Sequence, residues 1–205
     1  GGTGCLVAIG PSRFLLTAKH VVDGFSTPGL MGIIGGHNAQ LVDMSSWRLI
    51  DSDADVDIAT IAIPPEFDPK KLNKQFYQPE NWPPMRAARA EVALFVGMPG
   101  IHREVLPSGV RNHATPVCDN VSSSSNRHFV LADEDGRKVF KYKTGLAAFG
   151  PTGGVSGAPV FINRNQAFEL CGVLYEGGET EQATFFAAHA DFVMADGTID
   201  RSLPR

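Results

Sequence analysis

Short apolar runs separated by turn residues fill this chain, and no stretch sustains the 3.6-residue period of an amphipathic helix. Residues 3–9 and 13–17 flank Gly10-Pro11-Ser12 and read as a hairpin around a turn. Further runs lie at 30–34, 47–50 and 58–63. Residues 64–84, rich in Pro, Lys and Asn, read as a crossing between two halves, with one helical turn near 70–76. The second half opens with the run 91–96 and a turn at 97–100. Its clearest hairpin is 128–143, with Phe129 and Leu131 in one strand and Val139 and Tyr142 in the other. Between them stands Asp133-Glu134-Asp135-Gly136, where Asp-Gly is a strong turn signal. Runs at 159–162, 169–174 and 184–188 supply three more strands. Such a pattern predicts an all-β barrel or sandwich. Two β-halves joined by a long crossing predict a cleft between them.

At 205 residues the chain fits one domain, or two small halves sharing a core. Its net charge of −4 argues against a nucleic-acid binder, which shows a basic patch or stripe. No run approaches the roughly 18 apolar residues of a membrane span. Cys5, Cys118 and Cys171 make no CxxC pair and no zinc spacing, so neither a disulfide framework nor a metal site is expected; one disulfide stays open, and free buried thiols are the simpler reading. No charged and apolar leader precedes the fold, the chain reads as trimmed ahead of Gly1, and its compartment is not legible.

Three segments carry residue types suited to acyl transfer. Residues 15–22 form a strand ending on His20; Asp57-Ile58-Ala59 puts an acid at the mouth of an apolar strand; residues 153–160 place Ser156 in a glycine-rich turn before another strand. A serine hydroxyl is a poor nucleophile until an imidazole takes its proton. The imidazole needs a carboxylate to fix its tautomer, and a developing oxyanion needs unobstructed backbone N–H donors.

The pattern T-A-x-H, then D-I-A, then G-x-S-G-x-P resembles the chymotrypsin-like serine endopeptidases, nearest the disulfide-poor branch that includes HtrA-type and glutamyl-endopeptidase-type enzymes. The resemblance runs through the first hairpin, the strand after Asp57, the turn at 96–100 and residues 171–178. It implies two six-stranded-type antiparallel β-barrels, over residues 1–82 and 83–205, with the active site in the cleft. It implies peptide-bond hydrolysis through an acyl-enzyme, with His20 as general base and then acid, Asp57 as its orienting carboxylate and Ser156 as nucleophile. The N–H groups of Gly154 and Ser156 would form the oxyanion hole. Residues 172–177 resemble the strand that lines the primary specificity pocket and pairs with substrate backbone. No cofactor or metal is implied, and the partner is a protein or peptide substrate.

This sequence also departs from the family pattern. Val155 stands where zymogen-activated members carry an Asp, and Gly1 lacks their Ile/Val-Gly-Gly start, which argues against activation by that ion pair. Val21 replaces the cysteine of the histidine-loop disulfide. The chain begins at what resembles the second strand of the first barrel; the strand before it is missing, carried by a longer parent chain, or supplied from elsewhere. Gly150, six residues before Ser156, replaces the pocket-floor Asp of trypsin-type enzymes, and Leu174 or Tyr175 stands where glutamate-specific relatives use a histidine. Glu176, beside Gly177, reads either as a substrate-facing carboxylate that favours a basic residue or as a solvated cleft-edge acid; the expected preference is a medium or large apolar residue, or a loosely selective pocket.

Plainer readings compete. His20 alone reads as a strand-end histidine, and Ser156 alone as a turn serine. Asp57 competes with Asp51, Asp53 and Asp55, which read as a solvated acidic lead-in; a calcium loop fails because its sixth position is Val56 and its twelfth Ala62. His37, His102, His113 and His128 read as surface histidines, His189 as a packed one, and Cys171 as a buried thiol. An α/β-hydrolase elbow is excluded by Gly154-Val155-Ser156-Gly157-Ala158 and by the chain order of acid and histidine. Two further functional readings stay open: a non-catalytic peptide-binding module, and the protease domain of a larger protein that a partner or ligand activates.

Overall fold

The computed structural model describes residues 2–23, 31–34, 40–97, 103–106, 109–112, 115–132, 154–178 and 184–205. Among them the chain is all-β. Strands β1 (Cys5–Ile9), β2 (Ser12–Ala18), β3 (Met31–Ile34), β4 (Gln40–Asp43), β5 (Arg48–Asp53) and β6 (Ile58–Ala62) make up the first half, with one helical turn, α1 (Lys19–Val22), after β2. The second half holds β7 (Val92–Gly97), β8 (Arg103–Leu106), β9 (Gly109–Asn112), β10 (Thr115–Ser124), β11 (His128–Ala132), β12 (Pro159–Arg164), β13 (Ala167–Gly178) and β14 (Thr184–His189). No helix among the described residues is long and apolar enough to cross a membrane.

Among the described residues, closure occurs once. Strands β10-β11-β14-β13-β12-β7 form a closed antiparallel barrel, whereas β1-β2-β6-β5 is an open four-stranded sheet and β3-β4 and β8-β9 are separate hairpins. The first hairpin turns at Gly10-Pro11, with Ile9 opposite Ser12 and Gly10 at φ +54°. The crossing holds a short 3-10 turn, Pro69–Leu72, capped by the Asp68 carboxylate on the Lys70 amide.

Alternation explains why β2 and β6 lie at the centre of the sheet. Phe14 and Leu16 on β2, with Ile58 on β6, enter a core shared with Leu170 and Val173 of β13 and with Ala188, Phe192 and Val193. Their neighbours Leu15 and Ile61 face the other way, onto Met44, Trp47 and Ile63. A third core fills the barrel around Phe95, Phe129, Leu131, Ile162, Leu174 and Phe185. Sheet and barrel therefore share a packed apolar layer. Burying each large aliphatic or aromatic side chain there contributes about 1.5–3 kcal/mol.

After β14 the chain crosses back onto the sheet. Thr60 Oγ1 donates to the Gly197 carbonyl at 2.5 Å, and the Ile199 amide donates to Asp51 Oδ2 at 2.9 Å. Arg201 spans both oxygens of Asp51 at 2.7 and 2.9 Å, and Arg205 reaches Asp53 at 2.7 Å and Asp55 at 2.8 Å. This corrects the expectation of a solvated acidic lead-in for Asp51 and Asp53, whereas Asp55 stays 75% exposed. Those three acids are ion-paired to arginines about 150 residues away.

Phe129 pairs with Ser124 of β10 and Ala187 of β14, and Leu131 with Val121 and Phe185, so both edges of β11 are filled within the barrel. The expected partner strand with Val139 and Tyr142, and its turn at 133–136, lie outside the described residues. Of the cysteines, all free, Cys171 is buried, Cys5 half-buried and Cys118 exposed.

Candidate functional site

Strand β2 ends at Ala18, and α1 turns His20 toward the start of β6. There Asp57 closes the turn after β5 in the left-handed region, at φ +54°, which an Asp tolerates better than most residues. Its carbonyl accepts the Lys19 amide at 3.1 Å. Its carboxylate accepts twice from His20: Oδ1 from the backbone amide at 2.9 Å and Oδ2 at 2.6 Å from ring Nδ1. The two bonds hold backbone and ring of His20 on one carboxylate. With Nδ1 donating, Nε2 is the ring's acceptor. The imidazole is 46% exposed and the carboxylate 21%, so the pair lies at the surface with the acid tucked beneath.

Ser156 stands in the turn before β12, flanked by Gly154 at φ +113° and Gly157 at φ +85°. It is 8% exposed. All three carbonyls of residues 154–156 are occupied. Gly154 O accepts from Thr3 Oγ1 at 2.6 Å, Val155 O from the Ala158 amide at 3.0 Å, and Ser156 O from the Thr3 amide at 2.7 Å. The Gly157 amide donates to Leu174 O at 2.6 Å. Among the described residues, the amides of Gly154 and Ser156 donate to no protein acceptor. Two unpaired N–H groups on one tight turn are an anion-accepting arrangement.

The histidine strand and the serine turn meet through the N-terminal segment. Thr17 Oγ1, three residues before His20, donates to Thr3 O at 2.6 Å. A Cβ placed on Gly2 would strike the Val21 side chain on one side and lie 2.8 Å from Ser156 O on the other. At Gly157 a Cβ would collide with Thr3 O and Thr17 Oγ1, so only glycine fits that contact.

Among the described residues the Ser156 hydroxyl donates to Tyr175 O, at 3.4 Å, and not to His20. Tyr175 is the bulged residue between Leu174 and Glu176 in the β13–β14 ladder. Its ring packs edge-on against His128, and Phe186 lies beside both. Burial pushes the Tyr175 phenol above its ordinary pKa; Arg127 opposes the shift, while the charges of Glu176 and Asp57 add to it.

Val155, Ser156, Leu174, Glu176, Gly177 and Phe185 surround a gap too narrow to admit a water molecule. Leu174, Glu176 and Gly177 are among the residues the sequence names for substrate binding; Tyr175, named with them, does not border the gap. Phe185 was missed, because an apolar residue in an apolar strand carries no signal of its own. Gly150 lies outside the described residues, as do His37, His102 and His113. His128 departs from the surface reading, with Nδ1 buried and without a partner. His189 is wholly buried, its Nε2 donating to Ser125 O at 2.9 Å. Cys171 is buried beside Arg164, and burial pushes its thiol up to about 11, which leaves it unreactive. No group of three or more His, Cys, Asp or Glu among the described residues could hold a metal ion.

No family model matches the chain, and no curated protein sequence matches it.

Proposed function

We propose that the protein is a serine endopeptidase of chymotrypsin-like architecture, with its open sheet derived from a first barrel and its site between sheet and barrel. The observation that carries the reading is the pair of hydrogen bonds that His20 donates to Asp57, from amide and imidazole together, which leaves Nε2 as the acceptor. The unpaired amides of Gly154 and Ser156 support it.

In this mechanism Ser156 Oγ attacks the scissile carbonyl carbon while its proton passes to His20 Nε2. The carbonyl oxygen takes up the negative charge, and the Gly154 and Ser156 amides stabilise it. One such donor is typically worth about 2.7–4 kcal/mol in the transition state. The C–N bond then breaks and the His20 proton goes to the leaving amine, leaving an ester on Ser156. Water, deprotonated by His20, attacks that ester and releases the carboxylic acid, returning the proton to Ser156. Asp57 stays ionised throughout and stabilises the imidazolium.

The Ser156 hydroxyl's bond to Tyr175 O favours a second reading, a protease domain whose serine turns to His20 only when a partner or ligand binds. A fluorophosphonate probe with intact-mass and peptide mapping separates the two. One adduct on Ser156, lost in Ser156→Ala and His20→Ala, is the expected result. No adduct on the folded protein removes the constitutive enzyme and leaves activation or peptide binding alone.

A further inference from the structure

We infer that Thr3 is a positioning residue for the nucleophile turn, holding it in the geometry that keeps the unpaired Ser156 amide free for an oxyanion. The inference rests on the proposed role of Ser156.

Thr3 makes three hydrogen bonds, and two of them fall on the serine turn. Its amide serves Ser156 O at 2.7 Å and its hydroxyl serves Gly154 O at 2.6 Å. These carbonyls belong to the peptide planes 154–155 and 156–157, so one residue fixes the planes before and after the one that carries the Ser156 N–H. A carbonyl and the following amide belong to one rigid plane. Fixing Gly154 O therefore orients the Val155 amide, and fixing Ser156 O orients the Gly157 amide onto Leu174 O. Val155 O, held by the Ala158 amide, sets the plane that contains the Ser156 N–H. With every carbonyl of the turn engaged from within the protein, the Ser156 N–H has no local acceptor to collapse onto.

The third bond ties this clamp to the histidine. Thr3 O accepts Thr17 Oγ1, and Thr17 lies on β2 three residues ahead of His20. Strand β2 is locked in turn against β6, with Ala18 opposite Ile58, the residue after Asp57. A rigid path thus runs from Asp57 and His20 through Thr17 and Thr3 to Ser156. Gly157 lets it close, since any side chain there would displace Thr3. Thr3 touches no reacting atom; it acts through the turn.

The test is saturation kinetics of fluorophosphonate labelling on the full chain, giving a half-saturation concentration and a maximal labelling rate. Thr3→Val keeps the shape and removes the hydroxyl. It should lower the maximal rate about tenfold, the weight of one hydrogen bond, with half-saturation changed less than twofold. Thr3→Ser, which restores the donor, should recover most of the rate. Thr17→Val, which breaks only the link to β2, gives a second reading if Thr3→Val fails to fold, and a several-fold lower maximal rate is expected. Parent-like rates in folded Thr3→Val, or no recovery in Thr3→Ser, overturn the inference; so do parent-like rates in Thr17→Val if Thr3→Val does not fold. A parent protein that takes no label at Ser156 overturns instead the reading of Ser156 on which it stands.

Discussion

Asp57 Oδ1 accepts the backbone amide of His20 at 2.9 Å while Oδ2 lies 2.6 Å from its Nδ1, so the two carboxylate oxygens have separate and unequal duties. In Asp57→Asn the oxygen must stay on the backbone N–H, because an amide NH2 cannot accept it. The NH2 then faces Nδ1 and forces the ring proton onto Nε2, where it blocks proton uptake from Ser156. Turnover of a peptide substrate should fall by about four orders of magnitude with the melting temperature nearly unchanged. Asn at Asp51, Asp53 or Asp55 should leave turnover intact, since these acids pair with Arg201 and Arg205. Equal loss in one of those variants would reassign the acid.

Gly157→Ala and Gly10→Ala separate two uses of glycine. Both positions have positive φ, +85° and +54°. A Cβ at Gly10 meets nothing within 4 Å, so the expected cost is only the left-handed backbone, about 1 kcal/mol. At Gly157 it drives into Thr3 and Thr17, and the expected cost is about 2–4 kcal/mol together with loss of Ser156 labelling. Urea unfolding of the two variants measures the difference. Similar costs would mean that the turn relaxes away from Thr3 freely.

Local pattern made much of this fold readable. The β1–β2 hairpin, β6, β7, β12 and β14 declare themselves because apolar runs end at turn residues. Strand β10 does not, since Pro116, Asp119, Asn120 and the serines at 122–124 mask a ten-residue strand whose Val117 and Val121 reach the barrel core. The pairing of β5 acids with Arg201 and Arg205 was invisible for another reason. Ion pairs about 150 residues apart in sequence leave no local periodicity. His20, Asp57 and Ser156 were legible as residue types in order, and Asp57 stood out among four aspartates because it abuts the apolar Ile58-Ala59 run. Thr3 was not legible, because its partners Gly154 and Ser156 are more than 150 residues away.

Asp51 makes the fold sensitive to strong acid. The hydrogen bonds from Arg201, with those of the Ile199 and Ser52 amides, lower its pKa from the ordinary 3.8 to about 2 against the opposing effect of burial. A depressed carboxylate contributes stability that is complete above its unfolded value and is lost as pH falls through the folded one. The urea midpoint should therefore drop between about pH 4 and pH 2. Arg201→Gln should flatten that drop while lowering the midpoint at neutral pH. An unaltered acid limb in Arg201→Gln would place the sensitivity elsewhere.

His189 sets a second, milder limb. Its Nε2 serves Ser125 O, and Nδ1 is buried without a partner, so the ring is neutral and charging it would bury an unpaired N–H. Burial lowers its pKa from the ordinary 6.5; Ser125 O and Asp191 work against that shift, and Arg86 and His128 add to it. With the folded value below the unfolded one, the unfolded chain binds the proton first as pH falls. Stability is then complete above about pH 6.5 and declines below it until the folded pKa is reached. Gln at this position offers an amide N–H for Ser125 O and does not titrate. Urea midpoints followed by the fluorescence of buried Trp47 should decline from pH 7 to pH 5 in the parent and stay flatter in His189→Gln. The same decline in both proteins would clear His189.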